Sequence, residues 1–567
     1  MTDDTAETLR TTQRAPRSCR SCASRKVKCD KASPCLRCIR RGDADKCVRE
    51  TVIVRGEVTR LGKDPTDAPT YEDLVRENER LRSALSIRTS VHHTPNSPLL
   101  KPRKPQRLLE CHDVLEEMVF DPRQRPKSSG RMSSWDEITS CCPDRGASEQ
   151  LIAYDKTWNS WVHYALEYPT FQEEHSKFMG ALKNGALLSD CDPAWLSLYF
   201  SVITAALLMM DVEEACLILP GKNHKRFLQD WYESALFCMY RADFMRTTQI
   251  HIVQAVAVLG MCFYNFGDSE LSRHLWSCAI RTAQTLGLDG SRGDDVPTEM
   301  SQEAQHRLWW TLVICEWLAV PYHVPQVDEG DFNVPLPSRD PEHDIPGGIQ
   351  PVQYHIFMAR TSIVYHRFWS ALREGSRLIA EVVRLADDEL AEVINTLPEH
   401  LQPDGGKHER MQNLEIEHPW IKWQRFDISL VLLHHRMRIN RALQKEWMTS
   451  PGQYEWARTV CIRSAMDIIW ITHNWDQPAA MRRQWYGFYA CEVGSMLVKA
   501  LSLHIFVAAI FLLRESRKAS PDPEVDFSDE VQLAIRYLDE VKSRNAIADR
   551  ASDILRDFIK HMDDPML

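Results

Sequence analysis

Six cysteines close to the N-terminus carry the chemistry of this 567-residue chain: Cys19, Cys22, Cys29, Cys35, Cys38 and Cys47, spaced C-x2-C-x6-C-x5-C-x2-C-x8-C. Each C-x2-C pair sets two thiolates about a turn apart, and the third cysteine of each half lies far enough on for the chain to fold back and close a tetrahedral metal site. Six ligands fall short of the eight that two four-coordinate zinc ions need. Two bridging thiolates make up the difference, and the first cysteine of each half, Cys19 and Cys35, is the natural bridge. Cys22 and Cys29 then complete one site, Cys38 and Cys47 the other. Two zinc ions and six thiolates sum to about −2, a charge that a basic surrounding segment offsets. A module this short cannot bury a sufficient core, so the metal must supply its folding energy. Disulfides are not expected, because the opening MTDDTAETLR is polar and acidic and lacks the basic and apolar regions of a secretory signal.

The residues between these ligands indicate the partner. From Arg10 to Arg49 there are thirteen Lys or Arg against three acids, +10 in a chain whose total is −10, so the remainder carries −20. One end seeks a polyanion that the rest would repel. A basic run alone is usually a solvated face; on a rigid metal scaffold its usual partner is double-stranded DNA.

The run SCRSCASRKVKCDKASPCLRC resembles the fungal binuclear zinc cluster transcription factors, whose order is C-x2-C, basic helix, C, Pro loop, C-x2-C. The resemblance implies that the short helix after Cys22 enters the major groove and that a lysine three positions before the third cysteine, here Lys26, reads a CGG-type triplet. Arg25 and Lys28 lie close by and would contact phosphate or base edges, with Arg20 and Lys31 as weaker phosphate contacts. Pro34 sets the loop between halves. Ala23 departs from the family, many of whose members have a basic residue directly after the second cysteine.

Positions 1–15 read as a disordered tail, 16–50 as the zinc module and 51–70 as a polar linker with Gly56, Gly62, Pro65 and Pro69. Over 71–88, Tyr71, Leu74, Asn78, Leu81 and Leu85 alternate by three and four, an a/d seam of about two heptads with Asn78 at an a position. This is either a short parallel coiled coil or an amphipathic helix lying on the main domain. The family places a dimerisation coil after its linker, which implies a homodimer on paired half-sites. Residues 89–148, rich in Pro, Ser and Arg, read as a disordered basic tether. Its clusters at Lys101, Arg103, Lys104 and Arg107, and at Arg123, Arg125 and Lys127, serve either nuclear import or solubility.

From 149 to 567 the pattern becomes helical and apolar, and a large all-α domain is expected. Helices are predicted over Trp195–Met210, Gln249–Asn265, Glu270–Leu286, Gln302–Leu318, Tyr354–Leu372, Trp423–Leu443, Ala457–His473 and Trp485–Arg514. The apolar runs fall below the ~18 to 20 residues of a bilayer span, so no membrane partner is expected. Most of the eleven cysteines outside the motif read as reduced, buried thiols. The order Ala279-Ile280-Arg281-Thr282-Ala283-Gln284-Thr285-Leu286-Gly287-Leu288, then Arg307-Leu308-Trp309-Trp310, then Asp331-Phe332-Asn333-Val334-Pro335-Leu336-Pro337 resembles the fungal-specific transcription factor domain, over roughly Ile152 to Pro337. Tyr322-His323-Val324-Pro325 stands where that family commonly has a Gly-Arg-Pro step. Trp309 and Trp310, consecutive on one helix, should face different sides and wedge neighbouring helices together.

Asp387-Asp388-Glu389-Leu390-Ala391-Glu392 is similar to the acidic magnesium-binding runs of terpene synthases, but no second partner motif accompanies it. Gly221-Lys222-Asn223 lacks the glycine and Ser/Thr of a phosphate loop, and His434-His435 sits in an apolar helix. The stretch Pro521 to Glu530 mixes acids with Val525 and Phe527, the composition of an activating segment or of a loop capping the next helix. The expected protein is a nuclear, non-enzymatic, zinc-dependent, sequence-specific DNA-binding regulator of RNA polymerase II transcription, a dimer that engages the transcription machinery, with a role for a small-molecule effector left open. The alternatives are a zinc-cluster corepressor acting through protein contacts and an all-α magnesium-dependent enzyme.

Overall fold

The structure, a computed structural model, describes residues 18–29, Cys35, Cys38, Arg41 and Cys47, the backbone of 52–54 and 57–59, and most of 131–562 apart from 292–298, 320–323, 339–344, 475–495, 517–526, 543–545 and a few isolated positions. The chain divides into two compact units, Met1–Arg103 and Lys104–Leu567. The seam residues Leu74, Asn78, Leu81 and Leu85, the phosphate-contact candidate Lys31 and Pro34 lie outside the described residues.

Among its described residues the first unit contains the short helix α1 (Arg20–Ser24) and an antiparallel hairpin of β1 (Val52–Val54) and β2 (Glu57–Thr59) in the register Val52↔Thr59, Ile53↔Val58, Val54↔Glu57. The hairpin lies at the start of the stretch expected to be an unstructured linker; Val52, Ile53 and Val54 are β-branched, which favours extended backbone.

The second unit is all-helical apart from one isolated bridge, Ile345↔Ile349, among the described residues. Its first half runs α2 (Trp135–Cys141), α3 (Arg145–Trp158), α4 (Ser160–His163), α5 (Tyr168–Lys183), α6 (Pro193–Met209), α7 (Val212–Ile218), α8 (His224–Arg241), α9 (Ile250–Leu259), α10 (Ser269–Leu286) and α11 (Gln302–Leu318). The second half runs α12 (Pro351–Glu374), α13 (Ile379–Asn395), α14 (Glu409–Glu417), α15 (Trp420–Arg441), α16 (Gln444–Thr449), α17 (Glu455–Asn474), α18 (Met496–Ser516), α19 (Ser528–Val541) and α20 (Ala546–Met562). Among the described residues, helical packing is therefore already present at Trp135, ahead of the boundary expected at 149. The Ser134 hydroxyl caps α2 by accepting from the N–H of Glu137, and Asp136 and Glu137 favour its N-terminus.

Two helices organise this unit. α6 is apolar all round, starts at Pro193 behind the Asp192 cap, and is buried from Ala194 to Met209 against α3, α8 and α9. α15 is buried over most of its length and packs against α12, α13 and α17. No described helix is long and apolar enough to cross a membrane.

The stretches that suggested a family meet in space. α10 ends in a Schellman closure: Gly287 is left-handed at φ 94°, its N–H reaches Gln284 and that of Leu288 reaches Ala283, both at 3.0 Å. The chain then passes Asn333, whose N–H donates to the carbonyl of Asp289 at 3.0 Å. Gly290, at φ 80°, allows this approach, since a Cβ there would stand 2.6 Å from the Asn333 carbonyl oxygen. Trp309 and Trp310, both buried, make edge contacts with the same ring, Phe332, at 5.4 and 5.5 Å. The tryptophan pair clasps the Asp331–Pro335 segment, and the Trp310 indole N–H donates to Pro335 at 2.8 Å. The helix predicted over Gln249–Asn265 stops at Leu259. Gly260 keeps helical backbone and lets the Trp276 ring pack close, since a Cβ there would stand 2.9 Å from it, and the chain continues as a 3-10 turn over Phe263–Phe266.

One half-buried charge joins three helices. His251, in the first turn of α9, lies 3.7 Å from Glu174 of α5 and 3.7 Å from Asp192 at the head of α6. Burial would lower its pKa, but hydrogen bonding and attraction to the two carboxylates carry it up to about 9. A histidine pKa raised on folding stabilises fully below its unfolded value near 6.5, and the gain is lost as pH rises through 9. Urea unfolding should therefore show the wild type losing about 2 kcal/mol between pH 6.5 and 9.5 relative to His251→Gln, whose stability lacks this step.

Candidate metal centre and nucleic-acid interface

The cysteine spacing makes the first helix and its cap in a single stroke. Cys19 is the N-cap of α1: its extended backbone precedes the first turn, and its Sγ accepts the N–H of Cys22 at 3.4 Å. The helix brings Cys22 back under Cys19, and the chain returns to add Cys29. All six motif cysteines are buried and form a cluster of their own, with Val27 the partly buried apolar residue packed on it.

Their sulfurs group as two sets of four. Cys19, Cys22, Cys29 and Cys35 lie within 4.8 Å of one another, and so do Cys19, Cys35, Cys38 and Cys47. Cys19 and Cys35 stand in both sets. Among the described residues these are the groups of His, Cys, Asp or Glu placed to hold a metal ion.

The sulfur separations fit a metal better than a disulfide. Cys19 to Cys35 is 3.9 Å, Cys19 to Cys38 is 3.8 Å and Cys22 to Cys35 is 3.6 Å. A tetrahedron with zinc–sulfur bonds of ~2.3 Å has edges of ~3.8 Å, whereas bonded sulfurs stand ~2.05 Å apart. The shared positions are also the two whose thiols ionise more readily than a free cysteine. The N–H of Cys38 holds Cys35 down to about 6. Burial opposes ionisation of Cys19, but the N–H of Cys22 and the neighbouring thiols keep its pKa below the usual value. Cys22, by contrast, is pushed up to about 12 by burial. Zinc bound here would hold the thiolates ionised and fix the fold of the segment.

The outer surface of α1 and its exit is cationic. Arg20, Arg25, Lys26 and Lys28 are exposed while the cysteines between them are buried. The metal core and the basic face are therefore opposite sides of the same dozen residues. Sequence reasoning gave the side chains of this face but not its backbone: Lys26 has a left-handed conformation, φ 54°.

The competing acidic run is otherwise engaged. Asp387 on α13 accepts two hydrogen bonds from Arg436, at 2.8 and 3.1 Å, and one from Asn440 at 2.8 Å, tying α13 to α15. His434 and His435 are buried, with His434 stacked on His504 at 4.0 Å and His435 paired with the Val431 carbonyl. Of the cysteines described outside the motif, Cys141, Cys238, Cys262 and Cys461 are buried, four others are half-buried and Cys216 is exposed.

Comparison with known proteins agrees with both units. Residues 17–54 match the fungal Zn(2)-Cys(6) binuclear cluster domain, and residues 153–385 match the fungal specific transcription factor domain. The chain is 21% identical over 434 residues to an Aspergillus flavus protein named "Probable transcription factor lepB", covering 71% of this chain and 74% of that protein. It is 25% identical over 315 residues to the "Aurofusarin cluster transcription factor aurR2" of Gibberella zeae, covering 52% of this chain and 43% of that protein. Among solved structures, one titled "Structure of the K. lactis CBF3 core" shares the fold with a TM-score of 0.52 at 11% identity, over 80% of this chain and 89% of that one.

Proposed function

We propose, for a chain that carries both domains of the fungal zinc cluster transcription factors, a specific division of labour within a DNA-binding transcriptional regulator. Two zinc ions share Cys19 and Cys35, with Cys22 and Cys29 completing one site and Cys38 and Cys47 the other. The metal-held helix α1 enters the major groove, Lys26 reads a CGG-type triplet, and Arg25, Lys28, Arg20 and Lys31 grip the flanking phosphates or base edges. A seam through Leu74, Asn78, Leu81 and Leu85 pairs two copies on two half-sites. The protein acts in the nucleus on RNA polymerase II genes, and its all-α domain carries the regulatory contacts, to the transcription machinery or to a small-molecule effector. The name of the Gibberella zeae relative supports a role in controlling a gene cluster.

The observation that carries this reading is the pair of four-sulfur groups with two common members, beneath an exposed face of Arg20, Arg25, Lys26 and Lys28. A metal core that leaves its cations outside is built to meet a polyanion. Action through protein contacts alone would require this face to be dispensable, and a reporter unaffected by Lys26→Ala would favour that alternative. Enzymatic use of Asp387 is disfavoured by its ion pair with Arg436.

Shared ligands have a consequence for metal counting. In the full-length protein, Cys19→Ala or Cys35→Ala should release both zinc ions, whereas Cys22→Ala or Cys47→Ala should lower the content by about one. Equal losses in all four variants would remove the support for bridging. Reading and gripping separate in the same way. In duplex competition Lys26→Ala should lower affinity for the preferred triplet by about 1 to 3 kcal/mol and flatten discrimination, while Lys31→Ala should weaken all duplexes alike and reduce the salt slope by about one unit. A uniform loss for Lys26→Ala would place the base reader elsewhere.

A further inference from the structure

Helix α1 closes as two helices of the all-α unit do, but without their glycine. The N–H of Lys26 reaches the carbonyl of Ala23 at 3.1 Å and the N–H of Val27 reaches that of Cys22 at 3.1 Å, the two bonds of a Schellman end. Val27 packs on the cysteine cluster and supplies the apolar contact that accompanies such an end. The residue at the bend must be left-handed. In α5 that residue is Gly185, at φ 92°, and in α10 it is Gly287, at φ 94°; both helices make the same two bonds. At the end of α1 it is Lys26, at φ 54°. A left-handed bend costs glycine nothing sterically, whereas a side chain there brings Cβ against the neighbouring carbonyl. Tyr164, Asp243 and Tyr454 are left-handed as well, but among these described non-glycine residues Lys26 is the one that stands between two members of a sulfur group.

The ligands on either side of the bend belong to one sulfur group. Cys22 and Cys29 both lie in the set with Cys19 and Cys35, and the Cys22 carbonyl itself accepts the closing bond. Strain at Lys26 is therefore imposed between two anchors that the metal would hold.

We propose that Lys26 is a specificity-determining position kept at a glycine site: the zinc ligands Cys22 and Cys29 hold its left-handed bend, and the strain lowers zinc affinity in exchange for a base-reading side chain. The proposal rests on Lys26 as the base reader and adds the backbone device that positions it. Its signature is a ranking of zinc affinities that charge alone does not produce.

The test uses the full-length protein carrying Lys26→Gly, Lys26→Asn or Lys26→Ala, all uncharged at this position, titrated with a chromophoric zinc chelator. Loss of the lysine charge is common to the three, so differences report the bend. The glycine variant should hold zinc roughly five- to tenfold more tightly than the alanine variant, with asparagine between them because it tolerates left-handed backbone. Duplex competition on the same proteins should show discrimination lost in all three. Equal zinc affinities with discrimination lost would overturn the strained bend while leaving the base reader in place. The expected zinc ranking with discrimination retained would overturn the base reader, and the proposal with it.

Discussion

In the N-terminal unit two sulfur atoms stand in two ligand groups at once. Six cysteines supply eight coordination positions only if Cys19 and Cys35 each face both metals, and their sulfurs are the two that belong to both four-membered groups. That arrangement replaces a hydrophobic core. It caps α1 through Cys19, buries Cys22 beneath the helix, and leaves Val27 as the partly buried apolar residue packed on the cluster. The cations stay outside, and under the proposed ligation metal–sulfur bonds would make the scaffold rigid, which is how a segment too short to fold by burial would offer a defined surface to DNA.

The all-α unit is stabilised in the ordinary way, by burial of α6 and α15 among their neighbours. Its polar interior is also structural. Asp387 is held by Arg436 and Asn440, and His251 by Glu174 and Asp192, so these groups join helices to one another. The stretches after α10 and around Phe332 are coupled by backbone approach at Gly290 and by the Trp309–Trp310 clasp. That contact ties the end of α10, the middle of α11 and the loop beyond it into one body.

Much of this was legible in the residues. Ligand spacing gives the metal framework because coordination chemistry restricts it tightly. The helix Gln302–Leu318 has the predicted bounds, since Ser301 caps it and its apolar positions run without interruption. α5 and α8 are less visible because charged residues on their outer faces dilute the apolar spacing. The close packing of Trp276 on Gly260 joins residues sixteen apart, and the shared target of Trp309 and Trp310 depends on a loop more than twenty residues on. Neither is encoded locally. The left-handed lysine is likewise invisible to a rule that expects glycine at such a bend.

The shared-thiolate cluster is the claim from which the rest of the N-terminal account follows. X-ray absorption at the zinc edge of the full-length protein reads it without reference to DNA. Each zinc should show four sulfur neighbours at about 2.3 Å and a second zinc in the next shell, as bridging by Cys19 and Cys35 requires. A spectrum with no metal neighbour, or with a mixed nitrogen–sulfur shell, would contradict it.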